Sequence, residues 1–450
     1  SLSTDAAAMA VDAPREGRMG DIIATIAADQ DRIVRSPMNQ VTVVQGGPGT
    51  GKTVVALHRA AWLLYTYRDR LAKDGVLVVG PSTAFLRYID QVLPSLGETD
   101  VVLLTPGQMY PAVSTNVPDA PPIAAIKGDL VMARVITNAV HQRIRIPTED
   151  VRIRLEDGST VVITAAQLSD ARASVPRNGT FHANREPFLR RVLDVLSRYQ
   201  ARQRHEDVSD PDIRNDRLAD LVDDGNVRRV LNLMWLPTTP ERLVTRLLTD
   251  SATLAAAADG LLSVEQQRWL LRSPDDPWTI DDVPLLDEAA ERLGTYEPPA
   301  RTAQAPEEDD YRELVVHDTS ARHSLSTTVA ERAMTDRTWI YGHVVVDEAQ
   351  ELSRMAWRTL ARRCSRKSMT IVGDLQQTTH PAGARDWDQA LGWARERIDL
   401  HTLTVTYRIT RQTAQTATEL LTAAGGQAPN LRPIRDGADT ERVTCTPQEL

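Results

Sequence analysis

The sequence predicts an α/β fold in which a parallel sheet is interrupted by a large, mostly helical insertion with one small β-hairpin. Short β-branched runs that end in polar or glycine residues indicate buried parallel strands. A glycine-rich loop stands between one such strand and a helix. A long interval, residues 107–331, departs from this strand–loop–helix pattern and exceeds any plausible loop, so it must be folded.

The glycine-rich loop is the first element of a predicted phosphate site. The run Val41–Val44 predicts a strand, and a helical pattern runs from Thr53 to about Tyr67. Between a strand and a helix, glycines let backbone N–H groups converge on phosphate oxygens at the helix N-terminus. The residues predicted to hold a nucleotide here are Gly46, Gly47, Gly49, Thr50, Gly51, Lys52 and Thr53.

Two side chains of this loop carry specific chemistry. Lys52 is expected on the β- and γ-phosphates and Thr53 on Mg²⁺. The chain has 52 lysines and arginines, of which only four are lysines (Lys52, Lys73, Lys127 and Lys367). Because lysine is so rare here, a lysine inside the loop indicates a specific role.

A second segment predicts the carboxylates that complete the site. Val344–Val346 reads as a buried strand and is followed directly by Asp347 and Glu348. Carboxylates at the carboxyl end of a parallel strand lie where such sheets bind ligands. We expect Asp347 to hold Mg²⁺ and Glu348 to activate the attacking water. An isolated Asp-Glu pair would instead suggest a helix cap, but the glycine loop favours catalysis.

Two further strands are predicted downstream. Thr370–Gln377 is predicted as a strand that ends in polar groups, and Leu403–Arg408 as a strand that ends in an aromatic residue and an arginine. Arg408 has the chemistry of an arginine finger, which reaches a γ-phosphate across a cleft. Taken singly, both segments are more typical of ordinary strand ends.

The interval itself shows four patterns. An apolar run predicts a helix at Ile126–Ile144, and alternation around a turn at Asp157-Gly158 predicts a hairpin at 151–163. Apolar residues at helical spacing predict a further helix around Phe188, Val192, Leu196 and Tyr199. Prolines separate a series of short helices predicted at Ile213–Leu293. The arginines at 190, 191 and 198 are either a nucleic-acid patch or solvated helix faces, and the second is favoured.

Residues 297–311 are rich in proline and alanine and end in an acidic cluster at 306–311. Composition favours a disordered connection. The alternative is an acidic probe that enters a basic or magnesium-containing channel of a partner.

Together these motifs resemble the UvrD/Rep-like branch of superfamily 1 helicases. The resemblance covers residues 20–100 and 340–410. It rests on Gln30, the glycine loop, Asp347–Gln350, Gly373–Gln377 and Thr406–Arg408. It implies a RecA-like core in which Gln30 contacts adenine, Tyr407 stacks on it, Gln377 senses the γ-phosphate and Arg408 acts as the finger.

The sequence departs from that family where the family grips DNA. Its Tyr-x-Trp/Phe pattern after the third motif corresponds here to His380 and Ala382, and its Thr-Phe-Thr-Asn-Lys corresponds to Gly80–Ala84. Stacking on aromatic side chains contributes about 1–3 kcal/mol per base. We therefore expect an intact nucleotide site beside a weakened single-strand track.

An intact core, eroded DNA contacts and a long insertion resemble the HelD-type RNA polymerase-binding ATPases of Gram-positive bacteria. The segments that resemble them are Gln45–Tyr67, Phe85–Ile89 and Trp278–Ala289, and the Arg-rich, Lys-poor composition suggests an actinobacterial source. The resemblance implies an ATPase that binds RNA polymerase through the insertion at 107–331, opens its clamp and releases nucleic acid.

Bulk properties set limits on function. The net charge of −9 and an aromatic content of 4% argue against a broad nucleic-acid-binding surface. Two cysteines, Cys364 and Cys445, fit a reducing compartment. No apolar run of membrane-spanning length and no signal peptide is evident, so we expect a cytoplasmic protein with no membrane contact.

The predicted organisation has five parts. An N-terminal tail is too short for a coiled coil, two segments form the first RecA-like domain around the insertion, and an incomplete second RecA-like domain ends the chain, which would leave hydrolysis slow. The tail is 1–17, the first RecA-like domain comprises 18–106 and 332–397, the insertion is 107–331, and the second RecA-like domain begins at 398 and runs to 450.

The predicted function is an ATP-hydrolysing protein, with GTP as the alternative nucleotide and Mg²⁺ as cofactor, that binds and recycles RNA polymerase. Two alternatives stay open. A UvrD/Rep-type 3′–5′ DNA helicase or translocase of repair or recombination would be stimulated strongly by single-stranded DNA. A nucleotide-gated binding protein with negligible turnover would tolerate Glu348→Gln.

Overall fold

A computed structural model describes residues 28–92, 101–176, 178–296, 328–423 and 431–437. The described chain forms two compact units. The first comprises the residues up to Asp129, the segment Trp278–Pro284 and everything from residue 328 onward. The second comprises Leu130–Pro277 and the residues from Leu285 to 296.

The first unit is built on a six-stranded sheet in the order β3-β2-β6-β7-β1-β8, with every neighbouring pair parallel. Its central strands are buried on both faces, which is why they are continuous runs of valine and isoleucine. The strands are β1 (Val41–Gly46), β2 (Val76–Val79), β3 (Val101–Leu104), β6 (His343–Val346), β7 (Met369–Gly373) and β8 (Ile398–Leu403).

Helices pack against this sheet through apolar faces. In the helix that follows β1, Val55, Ala60 and Leu63 are buried and join a core that includes Val44 and Val345. The helices of this unit are α1 (Ala28–Val34), α2 (Lys52–Thr66), α3 (Arg68–Asp74), α4 (Thr83–Val92), α5 (Pro121–Lys127), α15 (Val329–Thr335), α16 (Arg354–Arg363), α17 (Trp387–Ala390) and α18 (Arg411–Ala423). A separate parallel pair, β9 (Val405–Thr410) and β10 (Arg432–Arg435), completes it.

The second unit is mostly helical and contains an antiparallel hairpin. The hairpin strands are β4 (Val151–Arg154) and β5 (Thr160–Ile163), and Gly158 takes the positive φ of 84° that their turn requires. The helices are α6 (Val131–His141), α7 (Ala165–Ala173), α8 (Phe181–Gln203), α9 (Pro211–Asp223), α10 (Gly225–Met234), α11 (Pro240–Thr249), α12 (Ser251–Ala257) and α13 (Val264–Leu270). Helix α14 (Asp282–Leu293) begins in the first unit and ends in the second.

Several predictions of secondary structure are confirmed. The fold is mixed α/β with a parallel sheet, the hairpin turns at Gly158, and α8 buries Phe188, Val192 and Leu196 along one face. The arginines of α8 at 190, 191 and 198 lie in ion pairs with Glu186 or Asp194 of the same helix.

The single helix predicted at Ile126–Ile144 is wrong, because the chain forms two helices, α5 and α6, that meet near Gly128. A Cβ on Gly128 would lie 2.4 Å from the Cβ of Ala382 and 2.7 Å from that of Ser353. The Gly128 carbonyl also accepts a hydrogen bond from the Met355 N–H. This close backbone approach ends the helix there, and apolar periodicity cannot report it.

The strand predicted to end at Tyr407 and Arg408 is also different. The chain forms two strands, β8 and β9, and both residues lie inside β9. Strand β8 pairs with β1 along its whole length, so residues 398–403 belong to the six-stranded sheet rather than to a separate second domain. The second compact unit likewise starts at Leu130, later than the predicted insertion boundary at 107.

No helix in the described part of the chain is both long enough and apolar enough to cross a membrane. The predictions for residues 1–17, 297–311 and Cys445 lie outside the described residues.

Candidate functional site

Three loops meet at one edge of the sheet. The strand order places β6, β7 and β1 side by side, and all three run in the same direction. Their carboxyl ends therefore open on the same edge, the position at which parallel sheets bind ligands. The glycine loop (Gly46–Thr53) follows β1, Asp347 follows β6, and Gln377 follows β7.

Glycine is required at defined positions of the glycine loop. Gly49 and Gly51 have φ values of 73° and 84°, a left-handed conformation that other residues adopt only with strain. A Cβ on Gly46 would lie 2.6 Å from the Thr50 Oγ1, and one on Gly49 would lie 2.4 Å from the Arg408 Cβ. The loop is thus closely packed, and its backbone N–H groups are presented by a tight turn that leads into α2.

The loop lysine lies along the loop itself. The Nζ of Lys52 donates to the carbonyl oxygens of Gly46 at 2.5 Å and Gly47 at 3.2 Å. The Thr50 hydroxyl donates to the same Gly47 carbonyl at 2.9 Å. Lys52 is buried, so its charge is held at the mouth of the loop with little competition from water.

The glycine loop and the carboxylate after β6 meet directly. Thr53 Oγ1 donates to Asp347 Oδ2 at 2.8 Å, although the two residues are 294 positions apart in sequence. Burial raises the pKa of Asp347 to about 6, against the lowering effect of the Thr53 hydroxyl and the Glu348 N–H. A hydroxyl and a carboxylate are hard oxygen donors, the kind that Mg²⁺ prefers.

Glu348 sits in an unusual backbone conformation beside that carboxylate. Its φ of 47° and ψ of 43° are left-handed, which is uncommon for a residue other than glycine and is a frequent mark of functional sites. The side-chain amide of Gln350 donates to Glu348 Oε2 at 2.6 Å. The carboxylate is therefore oriented by a neighbour in its own loop.

The same glutamine ties the loop after β6 to the loop after β7. Its Oε1 accepts from the Asp374 N–H at 2.9 Å. Asp374 in turn accepts from Gln377 at 2.6 Å and from Gln45 at 2.9 Å. Gln377 is thereby joined to Glu348 through two intermediate side chains.

The predicted base-contacting residues also lie against the glycine loop. The amide of Gln30, at the start of α1, donates to the Thr50 carbonyl at 3.1 Å. From β9, the Tyr407 N–H donates to the Gly49 carbonyl at 3.0 Å and the Thr406 hydroxyl to the Pro48 carbonyl at 3.0 Å. Arg408 is exposed next to Gly49, so the structure brings every predicted site residue to one edge of the sheet.

A buried arginine that the sequence patterns did not indicate braces the opposite edge of the sheet, at the amino ends of β1 and β7. Arg59 of α2 is fully buried and donates to backbone carbonyls at the end of α1 and in the turn after it. Its Nε donates to Thr370 Oγ1 in β7 at 3.0 Å. The carbonyls belong to Ile33, Val34, Ser36 and Pro37, at 2.7–3.1 Å.

Gln45 is a second residue that sequence reasoning missed. It donates to Asp374 through its amide N–H and accepts from the Trp387 indole N–H at 3.0 Å. It lies near the end of an otherwise apolar strand. A polar residue in a buried strand directly before the glycine loop was a usable signal. The sequence around Arg59 gave no such signal, because a single arginine on an amphipathic helix is normally predicted to face solvent.

No model of a known protein family matches this sequence, and a comparison with curated proteins finds no match either. The described residues contain no cluster of three or more histidine, cysteine or acidic side chains that could enclose a metal ion. Thr53 and Asp347 fit a Mg²⁺ ion that is held mainly by phosphate oxygens and water, which needs only one or two protein ligands.

Proposed function

We propose that this protein binds and hydrolyses ATP with Mg²⁺ at the edge formed by the glycine loop, Asp347 and Glu348. We propose further that its core is RecA-like and of the superfamily 1 helicase type. The observation that carries the proposal is the 2.8 Å hydrogen bond between Thr53 and Asp347. It joins the two halves of a phosphate and magnesium site across the sheet.

The proposed role of each residue follows from its position at this edge. The backbone N–H groups of the glycine loop and the Lys52 ammonium neutralise phosphate charge. Thr53 and Asp347 would hold Mg²⁺, which when bound would supply polarisation of the phosphate oxygens. Glu348, held by Gln350, accepts a proton from the attacking water, and Gln377 reports on the γ-phosphate through Asp374.

Base and finger roles follow the same geometry. Gln30 lies against Thr50 at the loop, which suits an amide that reads the two hydrogen-bonding groups of adenine. Tyr407 is half-buried in β9 and offers a ring for stacking. Arg408 is exposed next to Gly49, within reach of a phosphate in the loop.

A titration of the protein with a fluorescent ATP analogue in the presence of Mg²⁺ tests nucleotide binding. Lys52→Ala is expected to weaken binding at least tenfold, about 1.4 kcal/mol, because a buried cation at the phosphates is lost. Lys73→Ala is the matched control, since Lys73 is exposed on α3. Equal affinity in the Lys52 and Lys73 variants would contradict the proposal, and competition by GTP ranks the two nucleotides.

We also propose that the ATPase acts on bacterial RNA polymerase through the helical second unit and releases nucleic acid from it. The support is the resemblance of Gln45–Tyr67 and Trp278–Ala289 to HelD-type proteins, together with a helical unit large enough to form a partner-binding body.

Photo-crosslinking tests this partner. A photoreactive amino acid replaces Leu233, an exposed side chain of α10 in the second unit. The control places it at Tyr65, which is exposed on α2 in the first unit. Crosslinks to purified RNA polymerase from position 233 and fewer from position 65 are expected. No crosslink from either position, with no co-purification of polymerase, would exclude this partner.

A further inference from the structure

A short segment of the chain returns from the second unit to the first and is anchored there. Residues 278–284 belong to the first unit although both neighbouring stretches belong to the second. The Ile280 N–H donates to the Val117 carbonyl at 2.9 Å. The Thr115 hydroxyl donates to the Trp278 carbonyl at 2.7 Å. We call 278–284 the return segment.

The anchor of the return segment is a buried charge cluster. Lys127 at the end of α5 pairs with Asp119 and with Asp282, each at 2.8 Å, and their side chains are 2%, 8% and 0% exposed. Thr279 Oγ1 donates to Asp119 at 2.6 Å, and the Thr279 N–H donates to Asp282 at 2.9 Å. One ammonium thus faces two buried carboxylates, and Thr279 donates to both of them.

His380 supplies a second cation to this cluster. Its Nε2 lies 3.1 Å from Asp281 Oδ1, and the Asp281 side chain is only 6% exposed. The Asp281 carboxylate thus lies where it can pair with a protonated His380, beside the cluster of Lys127, Asp119 and Asp282. The pair therefore favours a charged His380.

The backbone that carries His380 is fixed to the loop that carries Glu348. Glu351 accepts from the Thr379 N–H at 2.7 Å, from the Thr379 hydroxyl at 2.8 Å and from the His380 N–H at 2.9 Å. Glu351 lies one turn after Glu348, and His380 lies three residues after Gln377. The two loops of the candidate hydrolytic site and the return segment are therefore linked through two carboxylates.

We propose that Glu351, His380 and Asp281 form a positioning latch. The latch fixes the position of the Gln377 loop relative to Glu348 and connects that loop to the return segment. Its relevance to hydrolysis rests on the proposed ATPase function. The Glu351 N–H donates to the Glu348 carbonyl at 2.9 Å, so the three residues act through Gln377 and Glu348 rather than on phosphate itself. Because the return segment leads into α14, a change in the Gln377 loop alters the anchorage of the chain that enters the second unit.

The latch has a defined pH dependence. Burial lowers the pKa of His380, but hydrogen bonding and charge from Asp281, with Glu351 and Asp119 nearby, raise it above its ordinary value of 6.5 overall. A histidine with a raised pKa stabilises the folded arrangement fully below about pH 6.5 and loses that contribution as the pH rises through the raised value. The latch is therefore closed at mildly acidic pH and weakens in alkaline solution.

Hydrogen exchange of the nucleotide-free protein tests the latch directly. In His380→Gln, the amides of 278–284 are expected to exchange about tenfold faster than in the unaltered protein, since a charge-assisted hydrogen bond is lost. After correction for intrinsic rates, the protection of this segment should fall with rising pH in the unaltered protein and stay flat in the variant. His380→Lys keeps the charge and should retain protection at all pH values.

Two controls separate the latch from general destabilisation. His401→Gln removes a second histidine–aspartate pair of the first unit, 2.9 Å from Asp399, and should leave the exchange of 278–284 unchanged. Strand β1 reports on the fold in every sample. Unchanged exchange of 278–284 in His380→Gln, or a pH dependence that survives in it, would overturn the latch; if that variant unfolds, Asp281→Asn decides in the same way.

Steady-state hydrolysis tests the positioning role. His380→Gln should lower kcat about tenfold and leave KM for ATP within twofold, and His380→Lys should restore kcat. An unchanged kcat alongside faster exchange would overturn the positioning role. An unaltered protein that neither binds nor hydrolyses ATP would instead refute the proposed function, while the nucleotide-free exchange still decides the latch.

Discussion

Two loops leave the same edge of the six-stranded sheet and use opposite chemistry. The glycine loop after β1 holds Lys52 against its own carbonyl oxygens and Thr53 against Asp347, beside left-handed glycines. The loop after β7 pairs His380 with Asp281, and the Thr379 hydroxyl donates to Glu351. Under the proposed function the first loop receives an external anion, whereas the second is committed to the protein's own carboxylates.

The difference bears on the position at which the helicases that this sequence resembles stack bases. His380 is paired with Asp281, and the carboxylates of Asp281, Glu351 and Asp119 all act on its charge, so DNA phosphates would meet negative charge there. The predicted nucleotide-binding groups lie together at the same edge of the sheet. This contrast favours the proposed ATPase that acts on a protein partner over a DNA translocase.

The largest expected effect breaks the Arg59 brace at the amino-terminal edge of the sheet. Arg59→Met should destabilise the first unit by about 3 kcal/mol or more, because five hydrogen bonds from a buried guanidinium are lost. Urea unfolding followed by circular dichroism measures the loss. Arg68→Met, at an exposed position, should stay within about 0.5 kcal/mol, and a similarly small change for Arg59 would show that the brace is dispensable.

The next effect acts on the glycine loop alone. Gly49→Ala forces a side chain into a left-handed conformation, which costs about 1–2 kcal/mol, and drives its Cβ into Arg408. Affinity for the fluorescent ATP analogue should fall about tenfold. Gly392→Ala is the control, since a Cβ there meets nothing within 4 Å and its φ is ordinary. Equal affinities in the two variants would mean that the loop geometry does not matter for binding.

A smaller effect sharpens the contrast between the loops. Because no aromatic platform stands at His380 or Ala382, single-stranded DNA should change the ATP hydrolysis rate by less than about twofold. The measurement compares hydrolysis with and without an oligonucleotide at low salt. Strong stimulation would favour the helicase alternative instead.

The smallest effect reports on the sheet beneath both loops. Cys364 is fully buried, and burial raises the pKa of its thiol to about 11. Its Sγ–H donates to the Ser368 carbonyl at 3.2 Å, next to β7. In a Cys445→Ser background at pH 8, a thiol reagent should label the folded protein at least about 100-fold more slowly than the denatured protein. Rapid labelling would indicate that the sheet opens readily.

Sequence patterns predicted the parts of this molecule that local chemistry determines. The strand–glycine–helix context and the Asp-Glu after β6 could be read directly, and so could the hairpin around Gly158. Arg59, the break at Gly128 and the place of β8 could not. Each depends on a neighbour that is remote in sequence, such as Thr370, Ala382 or β1.

The His380–Asp281 pair shows the same limit. The sequence showed that an aromatic residue is missing at 380, and it showed an acidic pair at 281–282. Only the fold shows that these two residues contact each other, because they are about 100 positions apart in the sequence.

The central claim is that Glu348 activates water for ATP hydrolysis at this edge, and single-turnover hydrolysis with Mg²⁺ tests it most directly. Glu348→Gln should reduce the rate at least about 100-fold with nucleotide affinity kept, because general-base catalysis contributes 10²–10⁴-fold. The exposed Glu396→Gln should leave the rate unchanged. A Glu348→Gln variant that hydrolyses ATP as fast as the unaltered protein would contradict the account.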